Sequence, residues 1–271
     1  MAPDTAASDT AAFLAGSDDR TTLLTYLAGR AAAPATVADD LSLARRSVQR
    51  HLAGFVERGW ATREEGTYRL TTAGELIADE HASYRETLAR IEEFDAFYGH
   101  LPDREHAPEP RWLRDADVTV ATDADPQAPI HRYLTRVRSL GGDRIRMIAP
   151  VLSRLFHDVH ADLAVEGTRT ELVMADDRIE RARDLNPVEF AVVVGVDVLD
   201  LYRHPGPIEF GVTLGEECAL LCAYDDGRLE ACVEARNPEL LAWAGRLFDR
   251  YRSRAEPIDP PVPLPSRPGT R

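Results

Sequence analysis

The sequence contains no lysine; all 32 of its basic residues are arginine. That absence removes chemistry. A Walker A phosphate loop, a Schiff-base nucleophile and a lysine-containing phosphodiesterase motif each need an ammonium group that this chain lacks. Cysteine is nearly as scarce. Cys218, Cys222 and Cys232 form an odd set without a C-x-x-C pair, so neither a disulfide framework nor a structural zinc site is expected. Long hydrophobic runs are missing as well. No stretch approaches the roughly eighteen apolar residues of a spanning helix, so no membrane partner is expected. The N-terminus is rich in Ala, Thr and Asp, without a basic segment followed by an apolar core. No secretory signal is expected there, and the reading is a cytoplasmic protein.

What is present is a folded composition. The 271 residues are 44% hydrophobic, enough for two modest domains with cores of their own. The net charge is -14, but one segment departs from it. Residues 43–70 hold Arg45, Arg46, Arg50, Arg58, Arg63 and Arg69 against Glu57, Glu64 and Glu65, six minus three, a local charge of +3. A basic island in an acidic chain needs an anionic partner, and double-stranded DNA is the first candidate.

The order of elements around that island is legible. Residues 1–16 are expected to be disordered. A helix is expected over Asp18–Ala28 with Leu23, Leu24 and Leu27 inward, stopping at Gly29. Pro34 opens a short second helix reaching Leu41, Ser42-Leu43 turns, and a third helix runs from about Ala44 to Arg58. At about 100° per residue, Val48, Leu52, Phe55 and Val56 fall in one apolar sector, with Arg46, Arg50, Ala53 and Glu57 opposite and Gln49 beside them. Arg can grip guanine edges, Gln adenine, and Ala allows close approach in a major groove. Thr62-Arg63 and Tyr68-Arg69 then read as a two-stranded hairpin turning at Gly66.

The string LSLARRSVQRHLAGFVERGWATREEGTYRLTTAG resembles the winged helix-turn-helix of archaeal transcriptional regulators. The resemblance implies DNA binding by residues 17–74, with Arg46, Gln49 and Arg50 reading bases and Arg45, Arg63 and Arg69 holding phosphates. One position departs from the pattern: Ala44 stands where a Ser or Thr usually caps the recognition helix, with Ser42 as a substitute cap. Heavy Asp and Glu with Lys absent also resembles the proteins of extreme halophiles. In such salt, long-range attraction to phosphates is screened, and close bidentate Arg contacts have to carry binding.

Residues 75–98 read as one long connecting helix, with Ile77, Tyr84, Leu88, Ile91 and Tyr98 near heptad spacing. In regulators of this kind such a helix pairs two subunits, and a homodimer is expected. Residues 99–111 are rich in Pro and charge and are read as a linker. Over 112–256 strand and helix signals alternate, then strands follow, with a hairpin turn at Asp226-Gly227 and a last helix from Pro238. The whole is a mixed α/β chain, ending in a Pro-rich tail over 257–271. The motifs Leu113–Thr119, Ile148-Ala149-Pro150-Val151, and Trp243 before Leu247-Phe248-Asp249-Arg250-Tyr251 are similar to the C-terminal domain of archaeal regulators related to the methanogenesis filament regulator. That resemblance implies a domain that senses a small-molecule effector or mediates assembly; it names no ligand.

The remaining chemistry-bearing residues point elsewhere only weakly. His157 and His160, near Asp158 and Asp162, have helical spacing for a metal but lack a third ligand. His204, in a Pro-Gly turn, is read as structural or exposed. Cys222 and Cys232 are expected on opposite faces of a hairpin, since a two-residue turn pairs Cys222 with Ala231 and Cys232 with Leu221; buried thiols acting as small hydrophobes are expected. No nucleophile-base-acid order or glycine-rich phosphate loop is present. The expectation is a protein that is not an enzyme and has no cofactor. A competing reading keeps the winged helix but gives it a protein partner, in a ligand-sensing or scaffold protein.

Overall fold

The computed structural model describes residues 3–140, 142–151, 162–163, 167–185, 187, 190 and 199–258. The chain forms two units, residues 1–89 and 90–271.

The first unit begins with α1 (Pro3–Ala15) and α2 (Asp18–Leu27). A helix over 3–15 corrects the expectation of disorder in 1–16, and the reason is aromatic packing. Leu14 is buried, and the Phe13 ring meets Phe55 at 6.4 Å and Trp60 at 5.5 Å. After β1 (Ala31–Ala32) come α3 (Pro34–Asp40) and α4 (Arg45–Glu57). The wing is β2 (Ala61–Glu64) and β3 (Thr67–Leu70), with β1 paired to the far side of β3. Its two-residue turn holds Glu65 and Gly66 at φ 48° and 86°, the left-handed conformation that a right-twisted hairpin demands. Leu23, Leu24, Leu27, Val37, Val48, Leu52, Phe55, Trp60 and Leu70 share one core.

The helix α5 (Thr72–Glu93) is long but does not continue through Tyr98. Phe94 interrupts it at φ -103°, ψ 19°, and α6 (Asp95–Tyr98) follows. Phe94 and Phe97 are almost wholly buried in the core of the second unit. Residues 99–111, read as a linker, belong to this unit and carry two 3₁₀ turns, Arg104–His106 and Pro110–Leu113.

The second unit is built on one eight-stranded sheet. Its strands are β4 (Asp117–Val120), β5 (Arg144–Ile148), β6 (Arg169–Ala175), β7 (Leu199–His204), β8 (Phe210–Leu214), β9 (Ala219–Asp225), β10 (Arg228–Ala235) and β11 (Glu256–Pro257). The order is β11-β7-β6-β5-β8-β9-β10-β4. Pairs β5/β6 and β6/β7 are parallel, the others antiparallel. Side chains alternate between two cores, as a pleated strand requires. Ile148, Val173, Val212, Leu221 and Val233 face α9 (Pro238–Arg252), with its Leu240, Leu247 and Phe248. Met147, Leu172, Met174, Leu220 and Cys222 face α7 (Ala128–Val137) and α8 (Asp176–Leu185). Each large apolar side chain so buried contributes about 1.5–3 kcal/mol. Asn237 starts α9 firmly: its Oδ1 accepts from the N–H groups of Glu239 and Leu240, both at 3.0 Å.

One expectation about cysteine is overturned by the strand register. The hairpin turn at Asp226-Gly227 has φ 44° and 80°, as the Asp-Gly pair indicates. A bulge between Leu229 and Ala231 then shifts the register, so that Cys232 lies directly opposite Cys222. The two thiols therefore share a face instead of pointing apart. A hydrogen bond with Cys232 and burial push the Cys222 thiol well above its usual range; burial raises Cys218 too. All three cysteines are free and buried. The histidines 157 and 160 lie outside the described residues.

Candidate nucleic-acid interface

The helix α4 is placed by what it buries. Val48, His51, Leu52 and Phe55 point into the core of the first unit, at the three- and four-residue spacing of one helical face. Arg45, Arg46, Gln49, Arg50 and Ala53 are exposed on the other side. Val56, read as part of the apolar sector, is 41% exposed, so the buried stripe is narrower than the wheel indicated. His51 takes its place inside. Burial lowers its pKa first, and the Arg20 and Arg50 charges lower it further.

The start of α4 is bare. Ala44 has the extended backbone of an N-cap, at φ -63° and ψ 126°, but no side chain caps the helix. Ser42 does not substitute; it sits in the turn at φ 54°. The Ala44 carbonyl accepts from Ser47 N at 2.8 Å and Val48 N at 3.1 Å, which sets the first turn through the backbone.

The arginines divide by their partners. Arg45 lies 3.6 Å from Asp39 and Arg69 lies 3.9 Å from Glu64, both pairs well exposed, where an ion pair holds weakly. Arg46 and Arg50 have no carboxylate within 4.0 Å among the described residues. Arg63 lies 5.6 Å from the Tyr68 ring. Strand register separates the two wing arginines. Arg63 pairs with Tyr68 and Thr62 with Arg69, so Arg63 shares the face of buried Ala61 and Leu70 while Arg69 takes the outer face.

One basic residue was missed. Arg20 of α2 is close enough to Arg58 and Arg50 for their charges, after burial, to lower its pKa. The guanidinium groups of Arg20 and Arg58 stand 3.8 Å and 3.5 Å from the centroid of the Phe13 ring. No pattern within α2 connects Arg20 to α4; only the packing of α1, α2 and α4 does.

No three His, Cys, Asp or Glu side chains among the described residues come together as a metal site. No described helix is long and apolar enough to cross a membrane.

A winged-helix unit joined to a mixed α/β unit is the class of architecture these observations define. Residues 126–254 match the family model for the middle domain of the methanogenesis regulatory protein FilR1. Residues 8–93 match that of the HVO_A0261 N-terminal domain. The chain is thus similar to a regulatory protein over its second half and to a named N-terminal domain over its first. No curated protein matches it. Among solved structures, the archaeal chromatin protein TrmBL2 is 14% identical, with 89% of this chain and 92% of that one covered, at a TM-score of 0.42. Nuc of Salmonella typhimurium, a phospholipase D family member, is 14% identical over 53% of this chain and 99% of its own, at 0.43. NucT of Helicobacter pylori is 7% identical over 53% and 98%, at 0.42. Overlaps of that extent decide nothing about what this chain does.

Proposed function

We propose that the protein is a DNA-binding transcription regulator that acts without catalysis. The observation that carries this is the face of α4. Arg46, Gln49 and Arg50 are exposed together on a helix whose other side is locked into a core, and the two arginines have no carboxylate partner among the described residues. In a chain of net charge -14, such a face repels little of what DNA offers and can grip base edges at close range. The two family matches support the reading, one of them to a regulatory protein.

In this reading Arg46, Gln49 and Arg50 read bases while Arg45, Arg63 and Arg69 hold phosphates. Arg63 and Arg69 lie on opposite faces of the wing, so they engage different phosphates. The protein acts as a homodimer through α5, where Leu76, Tyr84 and Leu88 are 61%, 60% and 41% exposed. Its α/β unit answers to a small-molecule effector or mediates assembly. In this reading residues 17–74 bind DNA, α5 dimerises, and the second unit, from residue 90, regulates.

Genome-wide footprinting followed by titration of the bound operator in high KCl tests this. Arg50→Ala is expected to cost about 1–3 kcal/mol and to relax preference at one base step. Arg69→Ala is expected to weaken all sequences alike and reduce the salt slope by about one. Unchanged operator affinity in Arg50→Ala removes the assignment.

A further inference from the structure

The second unit holds a cavity of about 470 Å³ at the end of α9, lined by Glu105, His106, His204, Arg250, Tyr251 and Arg254. That volume suits a small molecule. These residues come from the first 3₁₀ turn, the end of β7, and the last turn of α9 with Arg254 just after it, so only the tertiary fold assembles them.

Its walls are fixed by packing. Phe210 is buried and lies 4.3 Å from the His106 ring and 5.4 Å from the Tyr251 ring. The His204 ring is 4.9 Å from that of Tyr251. His106 is held at both nitrogens, Nδ1 at 2.7 Å from Asp103 Oδ1 and Nε2 at 2.7 Å from the Tyr251 hydroxyl. Such a framework holds its shape without a ligand, which limits the ordering cost of binding.

The polar groups leave donors over. Glu105 is engaged by Arg250 at 3.2 Å, and Asp103 by His106 together with the Glu105 N–H at 2.8 Å. Both nearby carboxylates are thus committed. The Arg254 N–H donates to the Tyr251 carbonyl at 3.2 Å, but its guanidinium makes no ion pair or hydrogen bond among the described residues. His204 is buried, and its Nδ1 lies 3.1 Å from the Gly206 N–H and 3.0 Å from the Gly206 carbonyl oxygen. No described group partners its Nε2. An unpartnered guanidinium and imidazole nitrogen, beside carboxylates that each already have a partner, suit a ligand that brings acceptors and negative charge.

We propose that this cavity binds a small anion through a carboxylate or phosphate group, held by Arg254 and His204 with Tyr251 and His106 as its aromatic wall. This deepens the regulator reading by giving the effector a site and a chemical class. The anionic head takes the uncommitted guanidinium. With Nδ1 accepting from the Gly206 N–H, the His204 ring has its Nε2 N–H to donate to the ligand.

Calorimetric titration of the full-length protein with inorganic phosphate and with citrate, at constant KCl, tests the site. One saturable site per chain is expected for at least one probe, and the preferred probe distinguishes phosphate from carboxylate chemistry. Arg254→Gln, a surface change, is expected to weaken binding at least tenfold, and His204→Gln likewise. Arg228→Gln, which removes a guanidinium from the β9–β10 hairpin instead, is expected to bind as the wild type does. Absence of saturable binding by both probes, or equal affinity in Arg254→Gln, overturns the proposal. Operator affinity measured on the same samples is a separate readout: a protein that binds anion but no DNA keeps this site and loses the regulator reading.

Discussion

A Cβ placed on Gly74 would lie 2.0 Å from the carbonyl oxygen of Trp60. The same carbonyl accepts a hydrogen bond from Thr71 N at 2.9 Å, and Thr71 Oγ1 donates to the Gly59 carbonyl at 2.7 Å. The start of α5 is thereby pressed onto the turn between α4 and the wing. Gly74→Ala puts a methyl group against backbone, which cannot swing aside. Destabilisation of roughly 1–3 kcal/mol or more is expected, read as a lower denaturation midpoint. An unchanged midpoint would show that α5 can shift away from the wing at little cost.

His51 ties stability to pH. It is 2% exposed and its Nε2 has no hydrogen-bond partner among the described residues. Its folded-state pKa is lowered, by burial first and by Arg20 and Arg50 next; burial and Arg85 lower that of His81 as well. A lowered histidine pKa means that the unfolded chain takes up the proton more readily. The stability from neutral His51 is complete above the unfolded value, near 6.5, and declines as pH falls below it. Urea denaturation at pH 8 and pH 5.5 should show this loss, and His51→Leu should reduce it. A variant with the full wild-type pH dependence would exclude His51 as the source.

The bare N-terminus of α4 leaves stability to be gained. Ala44 already has the backbone of a cap, so Ala44→Ser needs no rearrangement for its hydroxyl to accept from the N–H of Arg46, since that of Ser47 already donates to the Ala44 carbonyl. A gain of about 0.5–2 kcal/mol is expected, measured by thermal or chemical denaturation. No gain would mean that the Arg46 N–H is already satisfied by water.

Cys222 and Cys232 sit opposite each other, yet both are buried, and the Cys222 thiol is held in its protonated form. Thiolate is the reactive species. A chromogenic disulfide reagent should therefore titrate no cysteine in the native protein and all three in denaturant. Rapid labelling of the native chain would show that the hairpin opens readily.

The amphipathic spacing of α4, the stop at Gly59, the Gly66 and Asp226-Gly227 turns and the strand–helix alternation all depend on neighbours in sequence. They could be read before any coordinates, and Arg46, Gln49 and Arg50 with them. Helical and strand periodicity and left-handed turns are local properties. The pairing of Cys222 with Cys232 depended on a bulge whose position no local pattern marks. The break at Phe94, beside two aromatic rings buried in the core of the second unit, had no local signal, and the place of Arg20 was set by the Phe13 ring packing on α4. The cavity lined by residues from 105 to 254 likewise had no sequence signature. These features arise where segments distant in the chain meet, and the competition for buried space there is settled only by the packed tertiary structure.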